Sequence, residues 1–431
     1  MRSKSDKKKS LVPRLRFPEF REAGAWEVKR LGELSEIVRG GSPRPITDYI
    51  TTDSEGLNWL KIGDVHQNEK YVTSTEEKVK KSAISKTREV YPGDLIMSNS
   101  MSFGRPYILK IKTCIHDGWI AVTDINNEVE RDYLYYFILS SSSQFYFRNA
   151  AAGGGVKNLN ADIVKLLSVS LPHYLEQQKI AHCLSSLDEV IGLQAKKVQA
   201  LKQHKKGLMQ QLFPAEGETT PHLRFPEFRE AGAWEKKRLG TQGGFLTPLS
   251  GKSAKDFDTG DAKFIPYMNV FSNTFTDIQD LRSVIITDDE SQNAVAKGDV
   301  FFTVSSETPE EAGMSSVLLG DVDRCYLNSF CALFRFDDHL SPNLIFLGYL
   351  LRSRSVRCHL SRGAQGATRY NISKLVFKEL PLVFPLAKEQ QKIAHCLSSL
   401  DEVIGLESHK LDTLKNLKKG LMQQLFPQEV A

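Results

Sequence analysis

The sequence predicts an α+β protein in which two mixed, strand-rich domains are separated by a pair of long antiparallel coiled-coil helices, related by a pseudo-two-fold internal repeat. Three observations support this prediction. Long blocks of sequence occur twice in the same order, apolar residues near the end of each half recur at a four-then-three spacing, and short β-like runs fill the rest. A length of 431 residues also exceeds what one hydrophobic core usually organises.

The first element is a basic tail, expected at residues 1–14. Residues 1–16 hold seven Lys or Arg and one Asp, a net charge of +6, whereas the whole chain has +5, so the remainder carries −1. Overall charge is therefore no argument for a nucleic-acid partner. We interpret the tail as a disordered, solubilising arm, with contact to phosphates as the alternative.

We expect a cytoplasmic protein. Hydrophobic residues make up 41% and charged residues 25% of the chain, and no apolar run approaches the length that crosses a bilayer. The six cysteines contain no CxxC pair, which favours free thiols in a reducing compartment.

The duplication covers the whole chain. LRFPEFREAGAWE occupies residues 15–27 and 223–235, EQQKIAHCLSSLDEVIGL occupies 176–193 and 389–406, and KKGLMQQLFP occupies 205–214 and 418–427. The intervening segments differ, with faint echoes of YPGDLIMS (91–98) in AKGDVFFT (296–303) and of residues 151–160 in 362–371. We expect domains at residues 15–174 and 223–387, helices at 175–214 and 388–427, and a linker at 215–222.

The repeated blocks near the end of each half predict one long helix each. In the first copy the seven-residue repeat runs through Ile180, Leu184, Leu187, Ile191, Gln194, Val198, Leu201, Lys205, Leu208 and Leu212, and the second copy has its polar exceptions at the same places. Such a repeat indicates a coiled-coil seam. Each helix would end at a proline, Pro214 or Pro427, after about 55 Å. The alternative is two separate helical hairpins in a larger core.

Identity between the helix copies extends beyond the seam. A coiled coil needs only its apolar stripe, so identical outer faces predict that the same partner protein docks on each half. A recent duplication that has not diverged is the alternative. The expected docking residues are His182, Ser185, Asp188, Glu189, His395, Ser398, Asp401 and Glu402.

The variable segments, about 28–170 and 236–385, carry β-like runs at 57–65, 94–98, 283–287 and 299–305. Their loops combine glycine with Arg, Lys, Asn, Gln or Ser, side chains that contact phosphates and base edges, although such loops are also common as plain turns. The residues we select as DNA contacts are Arg39, Arg44, Lys61, Arg105, Lys157, Asn158, Ser306, Arg362, Gln365 and Arg369.

Catalytic signatures are missing from the sequence. We find neither the Asn/Asp-Pro-Pro-aromatic tetrapeptide nor the glycine-rich loop of an adenine methyltransferase. LSGKS at 249–253 lacks the leading glycine of a phosphate-binding loop, because Leu246 stands there. Asp64 with Glu76 and Lys78 has a spacing that many surfaces show by chance, and His182-Cys183 and its copy are adjacent helix residues that point apart. We therefore expect no catalytic, cofactor or metal site in this chain.

The order of these parts resembles the specificity subunit of type I restriction-modification systems. The resemblance rests on LRFPEFREAGAWE followed by KRLG at both domain starts, and on EQQKIAHCLSSLDEVI and KKGLMQQLFP in both helices. It spans nearly the full chain, and it implies that the two mixed domains are target recognition domains.

The resemblance implies a non-enzymatic chain that binds double-stranded DNA at an asymmetric, bipartite site. Two methylation subunits would dock on the repeated helices and use S-adenosylmethionine, and two restriction subunits would add ATP- and Mg-dependent translocation and cleavage. The helices would set the gap between the half-sites, as dimer spacing does for paired half-sites. A free-standing DNA-binding regulator and a scaffold protein without a DNA role are the alternatives.

Overall fold

The computed structural model describes residues 11–66, 69–99, 104–150, 159–287 and 289–427. The chain divides into two compact units. Unit 1 comprises Met1–Ala195 with His409–Ala431, and unit 2 comprises Lys196–Ser408. Unit 1 is therefore not one continuous stretch of the chain. Each unit contains one mixed domain, the N-terminal part of the long helix that follows this domain, and the C-terminal part of the other long helix.

The mixed domain of unit 1 contains two five-stranded sheets. The strands are β1 Glu27–Arg30, β2 Glu36–Arg39, β3 Ile50–Thr51, β4 Leu57–Leu60, β5 Tyr71–Val72, β6 Glu77–Val79, β7 Arg88–Val90, β8 Leu95–Ser98, β9 Pro106–Leu109, β10 Thr113–Ile115, β11 Trp119–Thr123 and β12 Ser168–Leu171. The strand orders of the two sheets are β3-β6-β4-β10-β7 and β2-β11-β8-β9-β5, and β1 pairs antiparallel with β12. The helices are α1 Leu31–Leu34, α2 Arg131–Leu139, α3 Ser141–Ala150 and α4 Ala161–Lys165.

The two long helices are α5, Tyr174–Leu212, and α10, Ala387–Leu425. Each is one continuous helix of 39 residues, so the alternative of separate helical hairpins is wrong. All ten predicted seam positions of each helix are buried or half-buried, which confirms the seven-residue pattern. Both helices stop directly before Phe-Pro, as expected from the missing N–H of proline.

Within each unit the two helix segments run antiparallel. In unit 2, Lys197 pairs with Glu407 at 2.5 Å and Lys205 pairs with Asp401 at 2.6 Å, so the partner number falls as the first rises. In unit 1, Leu425 of α10 shares a core with Ile180 of α5. Polar seam positions thus form ion pairs between the helices.

The mixed domain of unit 2 repeats this plan with different sheets. The strands are β13 Glu235–Arg238, β14 Gly243–Leu246, β15 Phe257–Ile265, β16 Arg282–Val284, β17 Val300–Thr303, β18 Ser305–Ser306, β19 Ser315–Val317, β20 Cys325–Leu327, β21 Cys331–Phe336, β22 Tyr370–Asn371 and β23 Pro381–Phe384. A four-stranded sheet has the order β14-β21-β17-β19, a three-stranded sheet has the order β16-β15-β20, and β13 pairs with β23 and β18 with β22. The helices are α6 Tyr267–Ser272, α7 Leu344–Leu351, α8 Arg354–Gly363 and α9 Lys374–Lys378.

The predicted α+β class, with two strand-rich domains and two long helices, is confirmed. Three of the four β-like runs contain β4, β8 and β17, and the run at 283–287 overlaps the last two residues of β16. The echo between residues 91–98 and 296–303 is structural, because Gly93 and Gly298 both have positive φ, 103° and 91°, and both precede an aspartate that caps the turn. The second echo, at 151–160, lies largely outside the described residues.

Candidate nucleic-acid interface

Each mixed domain begins with the same buried anchor. Arg16 donates from Nε and Nη2 to both carboxylate oxygens of Glu176, at 2.8 and 2.7 Å, and Arg224 makes the same fork with Glu389, at 2.9 and 2.6 Å. Both carboxylates are fully buried, at 1% exposure. The repeated LRFPEFREAGAWE motif therefore has a structural function, because its arginine attaches each domain to the first turn of the long helix that follows it.

A second repeated contact joins three parts of each unit. In unit 1 the Tyr136 hydroxyl donates to Asp188 Oδ2 at 2.7 Å, and Lys418 Nζ lies 2.5 Å from Asp188 Oδ1. In unit 2, Tyr349 and Lys205 contact Asp401 in the same way, each at 2.6 Å. We call these two sets the Tyr-Asp-Lys clusters. Each links a domain helix, α2 or α7, to both long helices.

The expected docking residues fall into two groups. His182, Glu189, His395 and Glu402 are exposed on the helices. The others already have partners within the chain: Asp188 and Asp401 belong to the clusters, Ser185 accepts from Lys70 Nζ at 3.0 Å, and Ser398 donates to His395 O. Identity at the two aspartates thus has a reason inside the chain, and docking remains a prediction.

Grooves lie beside these helix faces in both units. In unit 1 a groove of about 980 Å³ is lined by His182, Ser185, Asp188 and Glu189 together with residues of the mixed domain. In unit 2 a groove of about 490 Å³ is lined by His395 and Ser398 with residues of α7 and the start of α10.

In the first mixed domain the structure brings Arg39 and Arg44 together around Asp117. Arg39 Nε donates to the Asp117 carbonyl at 2.9 Å, Arg44 Nη2 lies 3.5 Å from Oδ2, and Ser42 donates to Oδ1. Burial alone would raise the pKa of the Asp117 carboxyl, but the Ser42 hydrogen bond and the charges of His116 and both arginines bring it below its ordinary value. The result is an exposed polar cluster with Arg44 largely free to reach a ligand.

The other selected residues of this domain do not join that cluster. Lys61 Nζ is held by Glu77 at 2.8 Å, which neutralises much of its charge. Arg105 is half-buried over the Tyr107 ring and lines the groove of unit 1. Lys157 and Asn158 lie outside the described residues.

In the second mixed domain, sheet pairing joins two loops that are far apart in sequence. Ser306 in β18 pairs with Tyr370 in β22, and the backbones of Gln365 and Asn371 exchange two hydrogen bonds to close a hairpin. Gly366 permits this turn: its φ is 149°, and a Cβ there would lie 1.8 Å from the Arg369 carbonyl. Gln365 and Arg369 are exposed on the hairpin.

Ser306 and Arg369 face a common cleft of about 430 Å³, whereas Arg362 does not line it and instead pairs with Glu216. The cleft also contains Tyr267, Met268, Phe271, Glu307, Glu311 and Phe330, none of which we selected from the sequence. The signal for them was weak, because an exposed phenylalanine cannot be told from a core one without the fold.

The motifs judged non-catalytic have structural partners. Asp64 Oδ2 accepts from the Lys61 backbone at 2.8 Å, and Lys252 of LSGKS pairs with Glu290 at 2.5 Å. Among the described residues, no group of three or more His, Cys, Asp or Glu is placed to hold a metal ion. No helix in the described part of the chain is long and apolar enough to span a bilayer.

The duplicated Arg–Glu anchors and Tyr-Asp-Lys clusters, together with polar loops that differ between the two domains, are typical of a DNA-specificity protein. The family model of the type I restriction modification DNA specificity domain matches twice, at residues 24–203 and 234–416. The chain belongs to this family. Similar proteins from Methanocaldococcus jannaschii are the type I restriction enzyme MjaVIII specificity subunit, 24% identical over 96% of this chain and 93% of its own, and the putative type I restriction enzyme MjaX specificity subunit, 22% identical over 93% and 92%.

Solved structures show the same fold. A chain from a study of complex assembly and conformational transition of the type I R-M system has a TM-score of 0.59 at 18% identity, covering 94% of this chain and 98% of its own. The type I restriction-modification S subunit from M. genitalium has a TM-score of 0.54 at 14% identity, covering 96% and 99%.

Proposed function

We propose that this chain is the DNA-specificity subunit of a type I restriction-modification complex, that it binds an asymmetric bipartite site, and that it carries no catalysis itself. Its mixed domains are then target recognition domains, and each reads one half-site. Two methylation subunits supply S-adenosylmethionine-dependent adenine methylation, and two restriction subunits supply ATP- and Mg-dependent cleavage. The complex acts in the cytoplasm.

The observation that supports this proposal most strongly is that two mixed domains with different exposed loops are attached to the helices by identical anchors. The Arg16–Glu176 fork and its copy fix the two domains in the same way. The exposed loops differ completely, with an arginine pair around Asp117 in one domain and the Arg369 hairpin in the other. Two readers with different side chains select different bases, because base edges in the major groove present distinct donor and acceptor patterns. The site is therefore asymmetric.

Docking of the methylation subunits is supported by exposed apolar residues that recur in both copies. Leu193 and Leu406 are 61% and 72% exposed, and Val190 and Val403 beside them are also exposed. Large apolar groups that remain in water on one helix face, twice, are typical of a binding surface. The glycine next to each leucine, such as Gly192, has nothing within 4 Å of the position of a Cβ, which leaves room for close approach of a partner.

The test is genome-wide mapping of N6-methyladenine in a host that expresses this chain with its neighbouring methyltransferase, against the same host without this chain. A single split motif that disappears without the chain is expected. No new methylation, with the methyltransferase shown to be active, would contradict the proposal and favour the regulator or the scaffold.

Docking is tested with Leu193→Asp combined with Leu406→Asp. Both changes put a carboxylate into the proposed interface, so co-purification of the methylation subunit should be lost. Leu417→Asp is the matched control, because Leu417 is exposed on α10 and its counterpart in the first copy is His204. Equal loss in the control variant would contradict docking at the repeated surface.

The gap is tested by inserting seven helical residues in register after Ala195 and after Ser408. Each helix has residues in both units, so we expect the gap between the half-sites to change. Both half-sites should stay the same. A changed half-site with an unchanged gap would contradict this function of the helices.

A further inference from the structure

The cleft of the second recognition domain has one apolar wall that is exposed to solvent. Phe330 is 65% exposed and Met268 is 58% exposed, and behind them the rings of Tyr267 and Phe271 stack with centroids 5.9 Å apart. Phe330 stands on the turn between β20 and β21. Covering a large, solvent-exposed aromatic side chain with a ligand lowers the free energy of the complex, because apolar surface is removed from water.

The turn that carries Phe330 is fixed by a buried asparagine. Asn328 accepts from the Phe330 backbone N–H at 2.9 Å, and its amide donates to the Ile265 carbonyl at 2.9 Å. The exposed ring is therefore held by hydrogen bonds inside the domain. Such an arrangement reduces the ordering cost of binding.

Two half-buried arginines hold the other walls. Arg352 donates to the carbonyls of Val270 and Phe271 at the end of α6, both at 3.0 Å. Arg357 donates to the carbonyls of Glu310 and Ala312 in the loop after β18. Both guanidinium groups donate their hydrogen bonds to backbone carbonyls, so these arginines shape the cleft rather than contact a ligand.

The polar wall carries opposite charges that can reach a ligand. Ser306, itself buried, donates to Glu311 Oε2 at 3.2 Å and thereby orients that carboxylate. Arg369 is exposed on the hairpin. In the described part of the chain, no ion pair engages Glu311 or Arg369. A carboxylate repels phosphate and accepts hydrogen bonds from base amino groups, so Glu311 favours a contact to base edges over a contact to the DNA backbone.

We propose, building on the DNA-reading function above, that this cleft recognises a cytosine–guanine base pair in the half-site of the second domain. Glu311 accepts from the cytosine amino group, Arg369 donates to guanine O6 and N7, and Phe330 covers the apolar edge of the neighbouring pair. A C·G pair presents this donor beside these acceptors in the major groove, which matches one carboxylate and one guanidinium that line the same cleft. Glu311, Arg369 and Phe330 are thus specificity-determining residues.

The experiment maps N6-methyladenine with the full complex containing wild-type chain, Glu311→Gln, Arg369→Ala, Phe330→Ala or the control Glu310→Gln. Glu310 lies in the same loop and carries the same charge, but it does not line the cleft. We expect Glu311→Gln and Arg369→Ala to relax discrimination at one C·G position by about fivefold or more. Phe330→Ala should relax the adjacent position, and the other half-site and the control should be unchanged.

The outcomes separate this inference from the proposed function. If the wild-type chain directs no split motif, the proposed function fails. If it does, but the motif of Glu311→Gln and Arg369→Ala is unchanged, only the base-reading cleft is refuted. Uniform loss of methylation at all sites, with a wild-type thermal midpoint, would assign the cleft to backbone contact and would also overturn base reading. Arg369→Ala, at an exposed hairpin, keeps the test valid if Glu311→Gln does not fold.

Discussion

The Tyr-Asp-Lys cluster of unit 1 should be a main determinant of how firmly the first domain is held on the helices. Removing one partner of a fully buried ion pair lowers the free energy of unfolding by about 3–5 kcal/mol, whereas an exposed ion pair contributes about 0–1 kcal/mol to it. The side chains of Asp188 and Lys418 are 29% and 19% exposed, and the carboxylate also accepts from Tyr136. We therefore expect Asp188→Asn to lower the free energy of unfolding by about 2 kcal/mol.

The assay is a double-mutant cycle of Asp188→Asn and Lys418→Met, measured by urea unfolding with tryptophan fluorescence. Three of the four tryptophans lie in unit 1, so a Trp234→Phe background reports that unit alone. We expect a coupling energy of about 1–1.5 kcal/mol.

The control cycle uses the exposed pair of Asp412 and Lys415 on the same helix, 3.8 Å apart. That pair should couple by less than about 0.3 kcal/mol, because solvent screens it. A coupling at Asp188 and Lys418 no larger than that of the control would show that partial burial does not strengthen this ion pair.

Three further predictions concern the anchor, the buried thiols and the helix glycines. Arg16→Ala should lower the free energy of unfolding, measured by chemical denaturation, by about 3–5 kcal/mol, because it leaves the buried Glu176 carboxylate without a partner. Arg16→Lys should not restore this loss, since lysine cannot donate two parallel hydrogen bonds to the carboxylate. A loss below about 1 kcal/mol would contradict the function of this pair as an anchor. Burial raises the pKa of the Cys114 and Cys325 thiols to about 11 and that of Cys331 to about 12. At pH 8, iodoacetamide should therefore leave these thiols unmodified in the folded chain, as read by mass spectrometry, and modification before unfolding would be inconsistent with this. The stability linked to the thiols is present below their ordinary pKa of 9.0 and is lost as the pH rises through 11 for the first two and through 12 for Cys331. Gly192→Ala should raise thermal stability by about 0.5–1 kcal/mol, because the site is open and alanine favours the helix, yet weaken binding of the methylation subunit; unchanged binding would show that the glycine does not serve docking.

The scaffold could be predicted from the sequence because its periodicity is local. The seven-residue repeat marked helices whose observed bounds, Tyr174–Leu212 and Ala387–Leu425, lie within two residues of those expected. The function of the identical outer residues could not be predicted in full. Asp188 reads as a surface residue in sequence, and only the fold brings Tyr136 and Lys418 to it.

The candidate site was predictable only in part, since it is built by pairing across long sequence distances. Ser306 and Arg369 were selected separately from their loops, and the pairing of β18 with β22 places both in one cleft. Phe330 gave no signal because hydrophobic residues are expected inside. Arg362 met the same criteria as Arg369, but Glu216 of the linker engages it.

Whether the two recognition domains read different half-sites from equivalent anchors on the helices can be tested with a chain in which residues 241–380 replace residues 33–167. This exchange keeps the Arg16–Glu176 anchor, β1, β12 and both long helices, and it places the second reader at both positions. Mapping of N6-methyladenine should then show a palindromic split motif made of the second half-site twice, with the gap unchanged. An asymmetric motif that still contains the first half-site would contradict the account.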